Sequence, residues 1–143
     1  MIFFFWKTPF KLYYKKLLNN WINSLIKHEK VILGEINYIY CDDEYLFIIN
    51  KKYLNHDCYT DVITFSYIIN TKISGDIFIS INRVKENALK WGVSFETELY
   101  RVMIHGILHL LFYNDKYHTD KFIMQDKENF YLDLLFFKLK NVL

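Results

Sequence analysis

The sequence predicts an α/β (α+β) domain: a mixed sheet of about four strands packed by helices, with a histidine-bearing helix at its centre. Three observations predict it. Short runs of β-branched and aromatic residues alternate along the chain with longer segments whose apolar residues recur at helical spacing. Two of the short runs, 62–69 and 77–81, follow one another across a turn-like Asn70-Thr71-Lys72, the pattern of a hairpin. The 143 residues hold one proline and four glycines, with no Ser/Gly/Pro-rich linker and no internal repeat, so residues 1–143 read as a single domain.

The elements follow in order. Residues 2–6 are apolar and aromatic and read as a buried first strand. Pro9 opens the next segment, where Leu12, Leu17, Leu18, Trp21, Ile22 and Leu25 place a helical stripe over 10–28. Glu35 to Tyr40 alternates and reads as a strand. Asp42 caps a helix from Glu44 to about Leu54. After the hairpin, with Asp61 and Asp76 at its strand starts, Asn82 caps a helix that Gly92 stops after Trp91. Ser94 caps the next, with Glu96 and Glu98 near its positive end. Leu99, Val102, Met103, Gly106 and Leu110 carry it to about Phe112, where Asn114 and Asp115 break it. A last helix runs from about Thr119 to Lys140, with Phe130, Tyr131, Phe136 and Phe137 at core spacing rather than forming a platform for RNA bases.

Bulk composition excludes several classes. At 52% hydrophobic and 24% charged residues the chain folds rather than stays disordered. A net charge of +2 does not by itself argue for nucleic acid, and Lys11, Lys15 and Lys16 read as a solvated face. Cys41 and Cys58 lack the spacing of a disulfide framework or a zinc ribbon, which fits a reduced, cytoplasmic setting. Lys7 interrupts the apolar MIFFFW after six residues, too few to span a membrane.

The stretch HGILHLLFYNDKYH, 105–118, holds three of the five histidines. His105 and His109 are four apart on the helix that Ser94 opens, so they stand one above the other on one face and their ring nitrogens can reach one point. That convergence suits a divalent metal, zinc above all. A catalytic zinc takes three protein ligands, and two candidates for the third lie past the helix break, Asp115 and His118. The position after His105 is Gly106, not the glutamate of HExxH, which argues against an ordinary metalloprotease and leaves any general base elsewhere. His28 and His56 read as helix-end and surface-loop residues, and Asp61 and Asp76 as turn residues with a lesser chance of orienting a histidine ring.

Four blocks in order, Asn50 with Tyr53, Thr60-Asp61-Val62 with Phe65, Gly75-Asp76-Ile77 with Ile79-Ser80, and His105-Gly106-Ile107-Leu108-His109-Leu110, resemble the YbeY family of rRNA maturation factors. The resemblance spans residues 35–137. It implies a metal-dependent endoribonuclease specific for single-stranded RNA, acting in 3′-end maturation of small-subunit rRNA and in ribosome biogenesis, with ribosomal proteins as partners. It implies one Zn2+ per chain on His105, His109 and Asp115, the last standing ten residues after His105 where the family commonly has a third histidine. His118 is the alternative third ligand or an outer partner. The arginine that commonly follows the tyrosine of the first block is here Leu54, so the catalytic assignment stays open, with Arg83, Arg101 and the basic residues of 50–56 expected to border the site. Two rival readings remain: a zinc hydrolase of another substrate class, and a metal-binding ribosome assembly factor that cuts nothing.

Overall fold

The computed structural model describes residues 1–142. Nine elements follow in the expected order: β1 (Ile2–Trp6), α1 (Lys15–His28), β2 (Ile32–Cys41), α2 (Asp43–Leu54), β3 (Val62–Ile69), β4 (Lys72–Ser80), α3 (Ile81–Trp91), α4 (Phe95–Leu110) and α5 (His118–Val142). The four strands form one sheet in the order β1-β2-β4-β3. β1, β2 and β4 run parallel, and β3 lies antiparallel to β4 at one edge. Among the described residues no helix is long and apolar enough to cross a membrane.

Several boundaries move from where the sequence puts them, each for a local reason. α1 begins at Lys15, not residue 10, because Phe10 and Leu12 reach the core from a non-helical segment that ends on Tyr14 in the left-handed region (φ 59°). β2 starts at Ile32, with a register shift between Leu33 and Ile36. β4 starts at Lys72, so Asp76 is a mid-strand residue rather than a strand start. The turn before it is only Asn70-Thr71, both at positive φ (51° and 64°), and two such residues match the twist of a hairpin. α3 is capped by the Ser80 hydroxyl, which accepts from the Arg83 amide at 3.2 Å, while Asn82 accepts instead from the Asp43 amide.

One face of the sheet carries the main core. Ile36, Tyr38 and Tyr40 of β2 and Ile73, Ile77 and Ile79 of β4 pack there against α1, α3, α4 and α5. The buried aromatics keep their polar ends bonded: the Tyr38 hydroxyl donates to the Met103 carbonyl and the Trp21 indole N–H to the Tyr131 carbonyl. On the other face α2 covers a smaller cluster of Cys41, Leu46, Ile49 and Ile63. α5 lies against the core along Met124, Glu128, Tyr131, Leu132 and Leu135, with Leu134 and Leu139 partly buried beside them. Of the four aromatics expected in the core from this helix, Tyr131 is buried, whereas Phe130, Phe136 and Phe137 are exposed, because helical spacing turns them to the unpacked side.

α4 sits directly on β4. A Cβ added at Gly106 would lie 2.7 Å from Ile77 Cγ2, inside contact distance, so the glycine lets the two elements approach. That approach puts the residues flanking Gly106 beside the start of β3.

Candidate metal centre

The Ser94 hydroxyl accepts from the Thr97 amide at 3.1 Å and starts α4. One turn apart near the end of α4, His105 and His109 project from the same face, their ring centroids 4.5 Å apart. The helix then stops sharply. Phe112 takes a left-handed conformation (φ 70°), and the Tyr113 amide reaches back to the Leu108 carbonyl at 3.0 Å, a helix end usually built on glycine. Asn114 Oδ1 accepts from the amides of Asp115 and Lys116 and turns the chain again. The result returns Asp115 to the histidines. Its Oδ2 is 3.2 Å from His105 Nε2 and 3.4 Å from His109 Nε2, and the two Nε2 atoms are 2.9 Å apart.

The outer ring nitrogens explain the orientation. His105 Nδ1 lies 2.7 Å from Glu128 Oε2, and His109 Nδ1 lies 3.1 Å from the Tyr113 carbonyl. Both acceptors demand an Nδ1–H, which leaves the Nε2 lone pairs pointing inward. With both imidazoles neutral, three electron-rich atoms thus face one another, an arrangement that a proton on His105 Nε2 or a metal cation relieves. A tetrahedral zinc at about 2.0–2.1 Å from each donor sets donors roughly 3.3 Å apart, close to the triangle present here. His105, His109 and Asp115 form a group able to hold a metal ion. Their side chains are 23%, 25% and 44% exposed, so the triangle faces solvent, unlike a closed structural site.

Proton affinities follow the surroundings. Burial pushes the His105 pKa down, but the Glu128 carboxylate, with Asp115 and Asp61 behind it, outweighs burial and raises it. Burial and the neighbouring His105 lower the pKa of His109. A metal must displace any proton on His105, so its affinity falls as pH falls.

The triangle stands at the edge of a cleft of about 490 Å³ walled by the end of α2, the 56–61 loop and the start of β3. Asp61 lines it, its carboxyl raised mainly by burial. Asp61 does not hold a histidine ring, because Glu128 and the Tyr113 carbonyl occupy both Nδ1 positions. Asp76 is on the opposite face of the sheet, bonded to Asn37 and Tyr67. His56, read as a surface residue, lines the cleft as well as being exposed, and His28 ends α1 and bonds the Tyr131 hydroxyl. His118 opens α5, exposed and outside both the triangle and the cleft wall.

Arg101 reaches the metal centre only through Glu128, which binds both it and His105. Leu54 does line the cleft, but no lysine or arginine does among the described residues. Arg83 pairs with Asp43 and Glu86 at the start of α3, and Arg101 pairs with Glu128 and Asn129. Each arginine is held by one carboxylate remote in sequence, Asp43 for Arg83 and Glu128 for Arg101. Glu128 is the residue that sequence reasoning missed. It is 6% exposed, and it stands in the apolar row Met124, Tyr131, Leu135 of α5, where a charge is a signal of a buried partner.

A mixed sheet crossed by a helix that presents two imidazoles and a returning carboxylate to an open cleft has the donor set of a metal-dependent hydrolase. The chain belongs to the endoribonuclease YbeY family, whose model matches residues 6–135. It is similar to endoribonuclease YbeY of Flavobacterium johnsoniae, 50% identical over 129 residues that cover 90% of this chain and 93% of the relative. The same named protein of Karelsulcia muelleri is 47% identical over 135 residues, 94% and 96% of the two chains. Among solved structures, the solution structure of TM1509 from Thermotoga maritima matches with a TM-score of 0.65 at 26% identity, covering 99% of this chain and 93% of that one.

Proposed function

We propose that this chain is a zinc-dependent endoribonuclease for single-stranded RNA, acting in 3′-end maturation of small-subunit rRNA in the cytoplasm with ribosomal particles as partners. The observation that carries the reading is the convergence of His105 Nε2, His109 Nε2 and Asp115 Oδ2, on the open side of a cleft, in a chain of this family. Those three residues would hold one zinc ion. Zinc supplies Lewis acidity towards a phosphodiester and makes water acidic enough to lose a proton near neutral pH.

The chain's own residues do the rest. Glu128 and the Tyr113 carbonyl keep both imidazoles in the tautomer that offers Nε2. A carboxylate as third ligand makes the centre less positive by one charge than three imidazoles would, which weakens its pull on the phosphate and opens it to harder metals than zinc. The cleft wall adds the carboxylate of Asp61 and the imidazole of His56 as the groups placed to exchange protons with a bound substrate. With no lysine or arginine lining that wall among the described residues, a bound metal would be its source of fixed positive charge.

The test is turnover of a single-stranded RNA by purified protein, before and after a chelator, and after zinc is restored. The expected result is cleavage that the chelator abolishes and zinc recovers, with a duplex of the same sequence left intact. Stoichiometric zinc without cleavage of any single-stranded RNA contradicts the nuclease reading.

A further inference from the structure

The C-terminal end of α1 carries a buried carboxylate that the metal centre's own residues do not account for. Glu29 has a side chain 8% exposed and collects three donors. The Tyr113 hydroxyl donates to its Oε1 at 2.6 Å, Lys127 Nζ lies 3.0 Å from Oε2, and the Tyr131 hydroxyl also donates to Oε2. Burial by itself pushes the carboxyl up, but the bonds from Tyr113, Tyr131 and Lys127 and the Lys127 charge outweigh it and hold it at about 2. Glu29 is therefore an anion wherever the protein works.

Tyr113 is gripped twice over, since Lys127 Nζ also lies 5.2 Å above its ring. It sits in the turn that ends α4. Phe112, Asn114, Lys116 and Tyr117 of that turn are exposed, while Tyr113 packs against the core. A left-handed phenylalanine is strained and persists only where its surroundings hold it. The Tyr113 side chain is the anchor that holds this one. Its main-chain carbonyl is the acceptor for His109 Nδ1, and Asp115 follows two residues later.

We infer that Glu29 is a positioning residue for the metal centre, acting through the Tyr113 hydroxyl to aim His109 and to return Asp115 to the ligand triangle. The inference rests on the reading of the triangle as a metal site. Neither Glu29 nor the Tyr113 hydroxyl touches the ion or a substrate. What they set is the direction of one imidazole and the path of one turn, 84 residues away from Glu29 in the chain.

The experiment compares zinc affinity, by competition with a chromophoric chelator, in the wild type, Tyr113→Phe, Tyr131→Phe and His109→Ala. Tyr113→Phe keeps the ring and the carbonyl and removes only the hydroxyl. It is expected to lose roughly 10–100-fold in zinc affinity, the size usual for an outer partner of a ligand. Tyr131→Phe removes the other hydroxyl on the same carboxylate and is expected to lower thermal stability without changing zinc affinity. Adding Glu29→Gln to Tyr113→Phe is expected to cost no further affinity, since both changes break one link. Where Tyr113→Phe does not fold, Glu29→Gln alone carries the same expectation. The His109 Nδ1–H proton resonance of the zinc-loaded protein gives a second readout, slow to exchange in the wild type and fast in Tyr113→Phe. If the wild type binds zinc, His109→Ala does not, and Tyr113→Phe binds as the wild type does, the positioning role is wrong and the metal reading stands. If the wild type itself binds no zinc, the metal reading fails and the positioning role with it.

Discussion

His109→Ala is expected to strip the protein of metal and to lower RNA cleavage by two or more orders of magnitude, while leaving it folded. The substitution removes one of three inward donors, and two protein donors make a poor zinc site. Little else depends on the ring. It is 25% exposed and its one outward bond is to the Tyr113 carbonyl, a hydrogen bond worth about 1 kcal/mol. Zinc content should fall from about one ion per chain to near none, with the far-ultraviolet circular dichroism unchanged. Full metal occupancy in the variant would show that the imidazole is a core residue and not a ligand.

Glu128→Ala is expected to produce the largest loss of stability of any single change at the site. Glu128 is buried between Arg101 Nη1 at 3.0 Å and His105 Nδ1 at 2.7 Å. Deleting it leaves the guanidinium and the imidazole N–H without their acceptor. Arg101 is 32% exposed and can turn partly to water, so the cost falls at the low end for a broken buried pair, about 3 kcal/mol. Zinc affinity should fall a further 10–100-fold as His105 loses its orientation. Glu128→Gln keeps one acceptor and should lie between alanine and wild type on both scales. Denaturant unfolding of the zinc-free proteins separates the stability effect from the metal effect. Equal stability of Glu128→Ala and the wild type would mean that the ion pair is no more than balanced by its own desolvation.

The order of elements was legible because it is written in local signals: period-two runs, helical stripes, and the caps Asp42 and Ser94, both of which cap the helices they precede. The histidine pair was legible for the same reason, since two residues four apart on a helix need no tertiary information to be placed together. Asp115 was legible as a residue beyond a helix break, although the left-handed Phe112 that turns the chain was not, because nothing in a phenylalanine announces that conformation. What the sequence hid was non-local. Arg83 is expected to border the site, but Asp43, 40 residues away, helps hold it elsewhere, and Glu128, 27 residues on, pairs with Arg101. The aromatics of α5 share one periodicity, yet only contact with α1 and α4 decides that Tyr131 goes in and Phe130 stays out. Asp76 drifted from a strand start to a strand centre because a two-residue turn needed less chain than its composition suggested.

Zinc titration into chelator-stripped wild type, Asp115→Ala and His118→Ala decides whether two histidines and an aspartate build the centre. His118 is the softer donor by chemistry, but the start of α5 places it outside the triangle, while Asp115 Oδ2 is within 3.4 Å of both Nε2 atoms. The expected result is one zinc per wild-type chain, a large loss of affinity in Asp115→Ala, and a change in His118→Ala no greater than the roughly 10–100-fold of an outer partner. Loss of the metal in His118→Ala with its retention in Asp115→Ala would make the third ligand His118 and not Asp115.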